Sequence, residues 1–209
     1  SPVGEQILRS STAYVGEVVQ ASVFGDALVA ASNDPELRSN LSLDSDLPVV
    51  VLAFFTAQSA PNLNEMADAL EGQVQLIAVT DDGSRLDLPD GMKQVVHDIP
   101  RWLAAADLMI TDWSVLTLEF GRLMRPIIAL EANRLDVVRR RGTYLDLTQV
   151  LPGAILENSS DVLPLLDSWL RNRGSSPALS NRNESFAGLA GPATGDAAAT
   201  IWAAMAGER

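Results

Sequence analysis

Short apolar runs alternate with helix-length amphipathic segments between residues 49 and 170, and this alternation constrains the fold more than any other feature. Val49-Val50-Val51-Leu52-Ala53-Phe54 is a continuous apolar run, as a strand covered on both faces requires. It is followed by helical spacing over 62–71, ended by Gly72, then by a second strand over Val74–Val79. A short strand over Gln94–Val96, a helix over Ile99–Ala106 and a strand over Leu108–Thr111 continue the series. A helix over Ser114–Leu123 is stopped ahead of Pro126, because proline disfavours helical backbone in the residue before it. Strands over Ile127–Leu130 and Ala154–Glu157 and a helix over Ser160–Leu170 complete it. Repeated strand–helix units predict an α/β, doubly wound parallel sheet with helices on both faces.

The flanks read differently. Residues 5–24 carry apolar positions at helical spacing, and Asn33-Asp34-Pro35 marks the start of a short helix over 35–41. We therefore divide the chain into an N-terminal helical arm, 1–43, and an α/β domain, 44–209. Residues 172–195, rich in Gly, Ser, Asn and Pro, read as a loop before a closing helix over Ala197–Ala206.

Composition narrows the chemistry. The net charge is −12 with a pI near 4.4, so most of the surface repels nucleic-acid backbone, and no nucleic-acid partner is expected. A phosphate site has to be local, built from backbone N–H groups or a few arginines. There is no cysteine, and His97 is the single histidine, which excludes thiolate and His-cluster metal sites. No metal or cofactor is expected. No apolar run reaches the roughly 18 residues of a spanning helix. The chain starts at Ser1 rather than Met, so it is read as a piece of a longer protein, and the lack of a targeting segment says little about the parent.

The segment 106–131 carries the chemistry. Thr111-Asp112-Trp113-Ser114 stands where a strand turns into a helix, the edge at which open parallel sheets bind ligands. Unpaired N–H groups there, with the Ser114 hydroxyl, suit a phosphate. Glu119, about 1.4 helical turns further on, suits ribose hydroxyls. From spacing alone the plainer reading comes first: Ser114 as a helix cap, Asp112 as a turn residue and Glu119 as a solvated surface group. His97 reads as a loop histidine bonded to Asp98. The four tryptophans (102, 113, 169, 202) read as core or domain-interface residues. The acidic cluster Asp81, Asp82, Asp87 and Asp90 reads as a solvated loop, since its spacing does not match an EF-hand.

These residues lie in a block, Asp107-Leu108-Met109-Ile110-Thr111-Asp112-Trp113-Ser114, then Glu119, then Arg125-Pro126-Ile127-Ile128, that resembles the CDP-glycerol glycerophosphotransferases of teichoic-acid-type polymer synthesis. Arg141-Gly142-Thr143-Tyr144-Leu145-Asp146 is similar to that family's R-G-x-Y-x-D, and Leu151-Pro152-Gly153 to its L-P-G. The resemblance implies the Rossmann-like, nucleotide-binding half of a two-domain (GT-B) transferase in cell-wall biosynthesis, with the final helix crossing back to the first domain. The donor would be CDP-glycerol or a related CDP-alditol. Thr111, Asp112, Trp113 and Ser114 would face its pyrophosphate, Glu119 its ribose or glycerol, and Arg141 and Gly142 its phosphates. The catalytic base would lie in an N-terminal domain absent here, so no catalytic residue is assigned and this chain alone is expected to be inactive. The parent would work in the cytoplasm at the inner face of a bacterial membrane, peripherally associated with it.

Three positions depart from the family pattern. Val115 replaces its second serine, Phe55-Thr56-Ala57-Gln58 lacks the arginine of its P-T-[WF]-R, and Val79-Thr80-Asp81 lacks its His-Pro pair. Two alternatives accordingly stand beside the first reading: a UDP-sugar glycosyltransferase or epimerase domain, and a non-catalytic domain for assembly or regulation.

Overall fold

A computed structural model describes residues 22–54, 60–80, 83–112, 114–131, 151, 153–172, 179, 189 and 193–206. Its centre is a six-stranded sheet, β1 Val49–Phe54, β2 Gln75–Thr80, β3 Lys93–Gln94, β4 Leu108–Thr111, β5 Ile127–Leu130 and β6 Ala154–Leu156. All five pairings are parallel and the order is β3-β2-β1-β4-β5-β6. The first three strands build outward from β1 on one side and the last three outward from β4 on the other.

Side-chain alternation explains why the strands are apolar without a break. Val49, Val51 and Ala53 enter one core layer, Val50, Leu52 and Phe54 the other, and all six are fully buried. Helices α1 Val23–Ser32, α2 Leu37–Asn40, α4 Ile99–Ala105 and α5 Leu116–Gly121 cover the first layer. Helices α3 Leu63–Leu70 and α6 Val162–Arg171 cover the second, with Leu63, Met66, Leu70, Val162, Leu166 and Trp169 turned inward. The fold is thus the expected doubly wound, Rossmann-like α/β arrangement.

The N-terminal region corrects the sequence reading. The helix expected over 5–24 falls largely outside the described residues, and a helix that reading missed runs from Val23 to Ser32. Ser22 sets its start, its hydroxyl accepting from the Gly25 N–H at 2.9 Å. Gly25, which reads as a helix breaker, is the fourth residue counted from that cap. Leu28 and Leu37 are buried in the first core layer, so the described part of the arm shares the core of the α/β body. Helix α5 is shorter than expected, because a turn over 122–124 closes it, with Met124 in the left-handed region at φ 54°.

The closing helix α7, Ala197–Ala206, is tied to α1 by one carboxylate. Asp26 accepts from the Gly195 N–H at 2.9 Å and the Ala197 N–H at 2.7 Å, which caps α7 from another element. Those backbone bonds, led by that of Ala197, hold the Asp26 carboxyl below its ordinary value of 3.8. A folded-state value below the unfolded one stabilises at pH above the unfolded value and is lost as pH falls through the folded one. Asp26→Ala should therefore speed amide exchange in α7 at neutral pH, while wild type should loosen there only in acid below pH 3.8. Equal α7 exchange rates for the two proteins at neutral pH would remove Asp26 as the tether.

Candidate functional site

The candidate site grows from the end of β4. Met109–Thr111 pair with β5 and Val50–Ala53 with β4, so the turn after Thr111 leaves from the carboxyl edge beside β1. Here the strand order reverses: the chain winds outward from β1 in one direction and from β4 in the other. At such a reversal the connections leave for opposite faces and open a crevice, the usual ligand position in open α/β sheets.

The turn itself is tightly packed. Thr111, Asp112 and Ser114 are 0%, 1% and 2% exposed. The Thr111 and Thr117 hydroxyls bond each other at 3.0 Å, pinning the strand end to α5. Ser114 Oγ accepts from the Leu116 N–H at 3.1 Å, bonding the first residue of α5 from one position before its N-cap, Val115, whose own side chain makes no cap bond. Val115, where the resembling family has a second serine, is 55% exposed at the start of α5. Thr111, Asp112 and Ser114 lie together at this strand end; Trp113, Arg141 and Gly142 lie outside the described residues.

Glu119 is not a solvated surface group. Its Oε2 accepts from Arg122 Nε at 2.6 Å, and the two side chains are 24% and 5% exposed. Arg122 in turn lies against α1: a Cβ on Gly25 would stand 2.8 Å from its Cζ. Sequence reasoning missed Arg122 and Gly25. The i,i+3 spacing of Glu119 and Arg122 was the available signal, but nothing local marks the arginine as buried.

Two residues of the family-like block serve the opposite edge of the sheet. Asp107 Oδ2 accepts from Arg38 Nη2 at 2.6 Å and from the Val49 N–H at 2.8 Å. Arg125 Nη1 donates to the Ala104 carbonyl at 2.6 Å and to the Ala106 carbonyl, closing the end of α4. Partial burial pushes the Arg125 guanidinium below its ordinary value, with Asp107 opposing the shift.

Other expectations meet mixed outcomes. His97 is exposed, and Asp98 pairs with Arg101 at 3.4 Å instead of with it, which corrects the expected His97–Asp98 bond. Trp102 and Trp169 are core residues, and Lys93 Nζ lies 4.3 Å from the Trp102 ring. Trp202 is 69% exposed and belongs to no core layer. Among the described residues no acidic or histidine cluster could hold a metal, and no helix is long and apolar enough to cross a membrane. Three hollows of about 620, 420 and 330 Å³ are lined by described residues, and none of the three touches the turn after β4.

A parallel, doubly wound sheet with a buried strand-to-helix turn at its order reversal defines a Rossmann-like domain of the nucleotide-binding class. Residues 82–186, half of the chain and the stretch holding the turn, match the family model of CDP-glycerol:poly(glycerophosphate) glycerophosphotransferase, and the chain belongs to that family. The teichoic acid poly(ribitol-phosphate) polymerase of Bacillus spizizenii is 27% identical over 70 residues, 34% of this chain and 11% of that one. The wall teichoic acid polymerase TagF superimposes with a TM-score of 0.73 at 18% identity, over 99% of this chain and 55% of its own. A TagF variant soaked with CDPG gives 0.74 at the same identity, over 99% and 55%. The chain thus spans little more than half of the solved polymerase, and at this identity the likeness is one of fold.

Proposed function

We propose that this chain is the donor-nucleotide-binding half of a glycerophosphotransferase of cell-surface polymer synthesis, taking CDP-glycerol or a related CDP-alditol. The observation that carries the reading is the position of the turn 112–114 at the β1/β4 order reversal, inside the stretch matched by the family model. The soak of TagF with CDPG supports a cytidine diphosphate donor. In the proposed reaction an acceptor hydroxyl attacks the phosphorus that carries glycerol. The bond from that phosphorus to the bridging oxygen breaks, CMP leaves, and the hydroxyl proton passes to a base. That base would lie in the remaining half of the polypeptide. The acceptor would be a growing polymer or a lipid-linked primer, which puts the whole protein at the cytoplasmic face of the membrane.

Within this chain, backbone N–H groups around Ser114, with Thr111, Asp112 and Trp113 shaping the turn, would hold the diphosphate. Arg141 and Gly142 would approach it from the segment after β5, and Glu119 would accept from ribose hydroxyls. Such charge-assisted bonds are the strong ones in diphosphate recognition. The exposed Val115 marks a place where a hydroxyl is missing, and the buried Ser114 is already engaged. These two observations favour a second reading, a family member that has lost its nucleotide and serves assembly.

Titration calorimetry with CDP-glycerol, CMP and a UDP-sugar separates the readings. Saturable binding of the cytidine ligands supports the first, preference for the UDP-sugar a different donor, and no heat from any of them the second. Val115→Ser should raise CDP-glycerol affinity about two- to tenfold, the worth of one added hydrogen bond. Ser114→Ala should lower that affinity and cost about 1 kcal/mol of stability as a lost buried hydrogen bond to the Leu116 N–H. Unchanged affinity in both variants would move the phosphate away from this turn.

A further inference from the structure

We infer that Arg122 is a positioning residue for nucleotide recognition, fixing the Glu119 carboxylate for the ribose, and that glycine at position 25 is what admits it. The inference rests on the ribose reading of Glu119 and goes beyond it, because it assigns residues outside the turn.

Ion pairs at i,i+3 on a helix surface are ordinarily weak and mobile, worth a few tenths of a kcal/mol. This one is neither exposed nor loosely walled. The Arg122 side chain is 5% exposed, and its Nε, the atom that donates to Glu119, would lie 3.0 Å from a Cβ on Gly25. The backbone of α1 therefore forms the wall that keeps the guanidinium under Glu119. Ser22 Oγ borders the same spot, 2.8 Å from the Gly25 Cβ position. Arginine held in a fixed plane orients a carboxylate as lysine would not.

The consequence falls on Glu119. One of its oxygens, Oε2, is committed to Arg122, and its side chain keeps 24% exposure. Oε1 has no hydrogen bond to a described residue. A carboxylate with one oxygen anchored and the other presented is preorganised for hydroxyl donors, because the cost of fixing its rotamer is met before the ligand arrives. The ligand chemistry that fits is a pair of adjacent hydroxyls, as on a ribose.

The test compares CMP with 2′,3′-dideoxy-CMP, by calorimetry on the full chain. Wild type should prefer CMP by about tenfold, the worth of a charge-assisted hydrogen bond. Glu119→Gln should bring the ratio down to about two or less. Arg122→Met should lower it similarly although Glu119 is intact. Gly25→Ala removes no charge, and its Cβ would press on the guanidinium and on Ser22 Oγ; it provides a second variant if Arg122→Met folds poorly, and through the displaced guanidinium it too should lower the ratio. A merely structural role for the pair would weaken both nucleotides alike and leave the ratio unchanged. If Glu119→Gln loses discrimination while Arg122→Met and Gly25→Ala keep it, the inference is overturned and the ribose reading stands. If wild type does not discriminate, or binds neither nucleotide, the ribose reading fails and the inference with it.

Discussion

Gly153→Ala should unfold the protein or lower its stability by about 4 kcal/mol or more, the range reserved for backbone collisions and strain together. Gly153 has φ 102°, which an L side chain rarely adopts, and a Cβ there would stand 2.0 Å from the Ile127 carbonyl oxygen. That oxygen belongs to the backbone of β5, so no side chain can swing away to make room. The collision would fall where β6 begins its pairing, Ile128 with Ala154. A physical reason for the glycine of the L-P-G segment follows: the chain must pass closely against β5 to enter the sheet. Urea denaturation followed by far-UV circular dichroism checks it. A loss under 1 kcal/mol would mean that the approach is relaxed in solution.

Arg125→Ala should cost about 2–3 kcal/mol, since it leaves the Ala104 and Ala106 carbonyls without their charged donor. Arg125→Lys should recover part of the loss, as one ammonium can still reach a carbonyl but cannot reproduce the planar fork. The account also predicts what will not change. Arg125 and Asp107 serve the amino edge of the sheet, away from the turn after β4, so CMP affinity of the folded Arg125→Ala protein should equal that of wild type. Weakened nucleotide binding at unchanged stability would instead make Arg125 a ligand residue.

The strands were legible because burial on both faces leaves an unbroken apolar run, and Val49–Phe54 and Leu108–Thr111 were located to the residue. Helix α1 was not, because glycine disfavours helix and Gly25 lies in its first turn; a side chain there would meet Ser22 and Arg122, the latter 97 positions later in sequence. The site divided in the same way. That Thr111, Asp112 and Ser114 share one turn follows from a strand ending before a helix. That Ser114 is buried depends on packing of α5, which no local signal reports. The family-like block misled in one respect: its two ends, Asp107 and Arg125, stand beside the nucleotide turn in sequence, yet Asp107 bonds Arg38 and the Val49 N–H, and Arg125 the carbonyls of Ala104 and Ala106, at the other edge. Such partners lie up to 69 residues away and cannot be read from spacing.

The most direct measurement is an amide chemical-shift map of the ¹⁵N-labelled chain titrated with CDP-glycerol. The account predicts saturable shifts centred on Ser114–Thr117 and Glu119 at the carboxyl edge, with the amino edge around Val49, Ala105 and Asp107 undisturbed. Absence of shifts, or shifts centred on that amino edge, would contradict it.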